Sequence, residues 1–314
     1  MKYMNLIKLK RILLLLGISF LLFMLVIYTN YTFGMKKSER PLIEHETRNF
    51  HIYTNFDSDS INYYENLFEG YLDYFSYEYF NIQLENRLNI YLFKDKKSYK
   101  EYVEELYDEY TPYGFYLGPS ANTIVINAES GLGTAMHELV HHFIATNFTK
   151  QPAPWINEGI ATFFEKFIGH IDNEGVLHIS FGYFSNWRFP KTKNNLDKLN
   201  LKKLISSNDP DQCAARSFML FVHKKGFYKK FVRQMSTQKN DPTGLTTLQK
   251  IYGKSIDQIE LDWKNWIKSQ PIDGNVKLVP WAFVKTEEQW QQWESANINK
   301  LYWNKKEQIY CVRD

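Results

Sequence analysis

The stretch His137-Glu138-Leu139-Val140-His141 constrains this chain more than any other. Residues i and i+4 of an α-helix lie about 40° apart around the axis and roughly 6 Å apart along it. On a helix, His137 and His141 therefore share a face and can reach one ion. Glu138 sits about 100° round from His137, so it flanks that ion instead of binding beside the imidazoles. From there it can take a proton from a metal-bound water. Apolar residues at Met136, Leu139, Val140, Phe143 and Ile144 are spaced for a buried helix over 135–147. Ser130-Gly131-Leu132-Gly133-Thr134 reads as the loop and helix start before it.

A second segment, Trp155-Ile156-Asn157-Glu158-Gly159-Ile160-Ala161, follows an interruption at Pro152 and Pro154. Its apolar residues Ile156, Ile160, Phe163, Phe164 and Phe167 predict a second helix starting near Trp155. Catalytic zinc usually takes three protein ligands and keeps one position open. Two His and one Glu form such a set, and Glu158 is the candidate third ligand. A satisfied core histidine would explain one of the imidazoles but not a pair at i, i+4. For Glu158 the plain alternative is an acid stabilised by a helix N-terminus. His142 points well away from His141 and reads as a packing or surface residue.

H-E-L-V-H-H-F, a short Pro-containing loop and W-I-N-E-G-I-A together resemble the gluzincin metallopeptidases, specifically their peptidase MA-like group. The resemblance spans about residues 48–270, although only the two metal motifs are specific. It implies a zincin-like α+β fold: a small sheet, an active-site helix and a mainly helical C-terminal lobe. It also implies one Zn2+ per chain, held by His137, His141 and Glu158, with Glu138 as general base and a peptide or protein as substrate. In such folds an edge strand before the active helix pairs with extended substrate, and Thr123-Ile124-Val125-Ile126 is the candidate by this resemblance, with a buried interior strand as the equal alternative.

The chain also departs from relatives of that clan. Thermolysin-like members place an Asp four residues after the ligand Glu to orient a His; here that position is Thr162. Aminopeptidase-like members carry a Tyr about sixty residues beyond it to stabilise the oxyanion; here the neighbourhood is Gln212-Cys213-Ala214-Ala215-Arg216-Ser217-Phe218. Arg216, Tyr183, His178 and His223 are the candidate substitutes. No acidic G-x-M-E-N-type element for capturing a free N-terminus is present, which argues against an aminopeptidase. Two other readings stay open: a catalytically inactive binding ectodomain of the same fold, and a zinc amidase acting on cell-wall material.

The N-terminus places the protein. Lys2, Lys8, Lys10 and Arg11 precede an uncharged apolar run over 12–34. That run is long enough to cross a bilayer, and the basic residues before it put the N-terminus inside and the bulk outside. A cleaved signal peptide competes with an anchor, but the first Ala in the chain is Ala121, so no A-x-A site is available. Both readings put the enzyme outside the cytoplasm, where a disulfide between Cys213 and Cys311 is permitted but not indicated. A net charge of +3 is too small to imply nucleic acid. Oligomeric state is not legible.

The organisation expected is a basic N-terminus (1–11), the apolar segment (12–34), a polar linker (35–47), the peptidase domain (48–270) and a C-terminal stretch (271–314) without a reading. Strands are expected at 49–54, 87–93 and 121–127. Helices are expected at 58–80, 96–107, 211–236, 243–252 and 255–269, with turns at Gly175 and Gly182 between short strands.

Overall fold

The computed structural model describes residues 42–107, 111–184, 188–270, 283–296, 301–304 and 309–312. The basic N-terminus and the apolar run lie outside these. Among the described residues no helix is long and apolar enough to cross a membrane. The chain separates into two units, residues 1–41 with 97–110, and residues 42–96 with 111–314.

The larger unit is mixed α+β. Its five-stranded sheet contains β1 (Ile43–Glu46), β2 (Phe50–Thr54), β3 (Leu88–Phe93), β4 (Gly114–Tyr116) and β5 (Thr123–Asn127), in the order β1-β2-β3-β5-β4. β2, β3 and β5 are parallel, while β1 and β4 pair antiparallel at the two edges. Leu88, Ile90, Leu92, Ile124 and Ile126 are fully buried, as the centre of a parallel sheet requires. Helix α1 (Ser58–Glu78) begins at Asp57, whose carboxylate accepts from the Ser60 N–H. Its Tyr71 meets Phe164 edge to face, and Phe75 lies tilted against both Phe164 and Phe143.

In the smaller unit the described part is 97–107, which is helix α2 (Lys96–Leu106) without its first residue, together with the residue that follows the helix. Tyr99 and Val103, one turn apart, are buried, and Lys97–Glu101 and Lys100–Glu104 pair on its exposed face.

After the sheet come α3 (Leu132–Asn147) and α4 (Pro154–Phe164), then the hairpin β6 (Phe167–Ile171) and β7 (Leu177–Phe181). The helices α5 (Arg188–Asn194), α6 (Leu201–Ser206), α7 (Gln212–Lys224), α8 (Tyr228–Thr237), α9 (Leu245–Tyr252) and α10 (Ile256–Ser269) build the helical part. β8 (Phe283–Thr286) and α11 (Glu287–Ala296) follow, then an antiparallel pair, β9 (Leu301–Asn304) and β10 (Ile309–Val312).

Four expectations need correction. Thr123–Ile126 is not an edge: β5 lies between β3 and β4, all five of its residues are buried, and the short β4 forms the edge. The single helix expected over 211–236 is two, because Gly226 turns the chain with φ 76° between α7 and α8. The linker expected to reach residue 47 already carries strand β1 at 43–46. Part of the C-terminal stretch belongs to the body, since β8 pairs parallel with β6 and the Tyr63 hydroxyl donates to the Val284 carbonyl.

Candidate metal centre

Helix α3 runs between Gly131, whose φ of 101° only glycine adopts readily, and Phe148. Its apolar face, Met136, Leu139, Val140, Phe143 and Ile144, is fully buried. That burial fixes the rotation of the helix and turns His137 and His141 to one side. His142, on the opposite side, is buried with its Nδ1 3.3 Å from the Tyr116 hydroxyl, so it is a packing residue.

Helix α4 is locked at its start. Pro154 occupies the first turn, the Ala153 N–H donates to the Pro242 carbonyl, and the buried Trp155 donates its Nε1–H to the Thr243 carbonyl at 3.0 Å. Gly159 lets α4 lie close against α7: a Cβ there would come within 3.0 Å of Met219 and 3.4 Å of the Ala215 carbonyl. The Trp and Gly around Glu158 thus set the position from which the carboxylate reaches α3.

The three candidate ligands converge. His137 Nε2 and His141 Nε2 are 2.8 Å apart. Glu158 Oε2 lies 3.7 Å from the first and Oε1 3.5 Å from the second. Zinc bonds of about 2.0–2.1 Å in a tetrahedron put ligand atoms roughly 3.3–3.4 Å apart, so the set fits a single ion. Among the described residues, this His137–His141–Glu158 group is the one that could hold a metal. The two imidazole nitrogens face each other at hydrogen-bond distance, so one of them carries a proton at the point where a cation would replace it.

Electrostatics divides the pair. Burial works against a charge on His137, but Glu165, Glu138 and Glu158 outweigh it and raise its pKa to about 9. Burial and the neighbouring His137 charge push His141 down to about 3. Burial raises the pKa of both Glu138 and Glu158. A backbone hydrogen bond from Tyr116 acts in the opposite direction on Glu138.

The ring of His137 faces Glu165, whose Oε1 lies 2.9 Å from Nδ1 as an ion pair without standard hydrogen-bond geometry. Thr162, where thermolysin-like relatives would carry an Asp, instead donates its hydroxyl to the Glu158 carbonyl at 2.6 Å. Glu165 lies almost one turn further along, on the same side. Arg188 grips it with two hydrogen bonds, Nε to Oε2 at 3.1 Å and Nη2 to Oε1 at 2.9 Å. His137 and the two arginines Arg188 and Arg216 hold the Glu165 carboxyl below its usual range although burial opposes them. Behind His141, the Nδ1 and Asn157 Oδ1 are both buried without a hydrogen bond of standard geometry, and Asn157 is the side chain that supports the charged ring.

A cleft of about 490 Å³ opens onto this group, lined by Tyr113, Gly114, Ser130, Gly133, Thr134, His137, Glu138, Glu165, Arg188 and Gln212. Arg216 and Tyr183 are not on its wall. Arg216 is buried and donates to the Tyr183 carbonyl at 3.0 Å, and the Tyr183 hydroxyl is 2.7 Å from that of Ser180. His178 pairs with Asp172 at 2.8 Å, and His223 packs on Phe163 and Tyr228. None of the four proposed substitutes for the missing Tyr reaches the cleft. Glu165, Arg188 and Gln212 do, and the sequence reading did not single them out as site residues. Cys213 is a free, buried thiol. No family model matches the chain, and no curated protein matches it.

Proposed function

We propose that this protein is a zinc-dependent metallopeptidase of the gluzincin type on a zincin-like fold. The observation that carries the reading is the convergence of His137, His141 and Glu158 beside the buried Glu138, with His137 and Glu138 on the wall of an open cleft. Zinc is the favoured ion because two imidazole nitrogens and one carboxylate oxygen suit it. Bound there, it would supply Lewis acidity to the scissile carbonyl and to the attacking water.

The chain's own residues supply the rest. Glu138 takes the proton from the attacking water and passes it to the leaving amine. Its buried carboxyl, with the pKa raised by desolvation, is the stronger base for that burial. The edge strand β4 supports a peptide substrate. Asn127 N–H donates to the Tyr113 carbonyl and Leu117 N–H to the Thr123 carbonyl, so Tyr113 and Leu117 bond inward to β5. By the alternation of an antiparallel ladder, the backbone of Gly114 and Tyr116 faces outward. The Tyr116 N–H already hydrogen-bonds Glu138, so an extended peptide would pair with the outward carbonyls of Gly114 and Tyr116 and lie across Glu138.

Glu138→Gln keeps the size of the side chain and removes the base. Peptide hydrolysis should fall on the order of 10²-fold or more while zinc content stays at the wild-type level. A Glu138→Gln protein that cleaves a peptide library as fast as wild type sinks the mechanism. The basic and apolar segments over 1–34 further support an enzyme anchored in the membrane with its catalytic body outside the cytoplasm. N-terminal sequencing of the mature protein tests this, because a start between about residue 29 and residue 40 would mean a cleaved signal peptide.

A further inference from the structure

Gln212 sits at the rim of the cleft, in the first turn of α7, where Asp211 caps the helix by accepting from the Cys213 and Ala214 N–H groups. Its side chain bridges two groups of opposite character. The amide oxygen accepts from Arg188 Nη1 at 3.1 Å, and the amide nitrogen donates to Glu158 Oε2 at 2.8 Å. Arg188 can only donate and an ionised carboxylate can only accept. The link between them must therefore offer both an acceptor and a donor, and this also fixes which way the amide points.

Through Arg188 the link continues to Glu165 and on to His137 Nδ1. The result is a relay, Glu158–Gln212–Arg188–Glu165–His137, whose two ends are candidate metal ligands on different helices. We propose that Gln212 is a positioning residue for the metal centre: it fixes the Glu158 carboxylate and ties its placement to that of the His137 ring before the ion binds. This rests on reading His137, His141 and Glu158 as the ligands. Neither a carboxylate nor an apolar side chain at 212 can make both bonds. Asn carries the same amide but is one methylene too short to span the gap.

Gln212 is exposed, so its replacement is not expected to disturb the core. The test compares full-length wild type, Gln212→Met and Gln212→Asn. Zinc affinity is measured by competition with a chelator, thermal unfolding is measured on the metal-free proteins, and the d–d spectrum is recorded after loading with Co2+. Both variants should bind zinc about 10–100-fold more weakly, the usual scale for removing a partner behind a ligand. The metal-free unfolding temperature should be unchanged and the cobalt spectrum altered. If Gln212→Met fails to fold, Gln212→Asn carries the comparison.

Wild-type affinity and an unchanged cobalt spectrum in the variants overturn the proposal and leave the metal centre standing. Weaker binding that merely tracks a lower metal-free unfolding temperature also overturns it, as a general structural effect. A wild type that binds no metal removes the metal centre itself, and the positioning role with it.

Discussion

The surroundings of His137 and those of His141 differ more than their spacing on one helix suggests. Both rings are partly buried one turn apart and aim Nε2 at the same point. Behind His137 stands an ionised, arginine-clamped carboxylate, Glu165; behind His141 stands the neutral amide of Asn157. The first ring is pushed towards the cation and the second is held as a lone-pair donor. Burial and the charge on His137 set the second ring against protonation and Asn157 offsets them only in part, so the two rings share a helix face but not a proton balance. An ion bound at this point would displace a proton, chiefly from the His137 side.

Removing either ring is the harshest intervention. His137→Ala and His141→Ala should each bring zinc from about one per chain to background in elemental analysis. Equal zinc in wild type and both variants would remove the centre altogether. The next experiment separates the two surroundings. Glu165→Gln should weaken zinc binding about 10–100-fold, because it takes the charge from behind His137. Asn157→Ala, behind the neutral ring, should cost less than about 10-fold on the same scale. If the Asn157 variant proves the more damaging, the contrast drawn between the two histidines is backwards.

A smaller effect lies on the Glu165 side, where positive charge accumulates. Lys166 is fully buried, and burial together with the nearby Arg216 lowers its pKa to about 7 from 10.5. Between those values the unfolded chain binds a proton that the folded chain does not, so stability rises with pH across that window. Below pH 7 both states are protonated and the folded state bears the full burden of the buried charge. Lys166→Met should therefore raise the unfolding temperature at pH 6 by more than it does at pH 9.5. A gain independent of pH would mean that Lys166 is not buried as a strained cation.

Sequence shows one half of this site better than the other. The i, i+4 spacing of His137 and His141 and the Trp and Gly flanking Glu158 are local patterns; helix geometry pairs the two imidazoles, and the packing that Trp155 and Gly159 permit brings Glu158 to them. Glu165 is harder to read because α4 ends at Phe164, so its direction depends on the chain beyond the helix. Arg188 and Gln212 are harder still. Arg188 lies 23 residues from Glu165, and Gln212 lies 54 residues from Glu158. No local periodicity links them, and each has ordinary surface chemistry until tertiary packing joins them. The edge strand was misplaced for a similar reason. Thr123–Asn127 is apolar enough to be noticed, and that same continuous apolarity marks it as interior. The true edge, Gly114–Tyr116, is three residues long and leaves almost no pattern.

The pairing of β8 with β6 has a consequence for synthesis. β8 leaves the ribosome after α3 and α4, and its contact with Tyr63 joins residues 221 positions apart. Until it emerges, one side of β6 has no partner while the ligand helices α3 and α4 are already available to fold. A nascent or truncated chain that ends near residue 270 would present that bare strand edge to other chains, the usual route to aggregation. The stretch with no reading in the sequence thus holds the strand that covers the second side of β6.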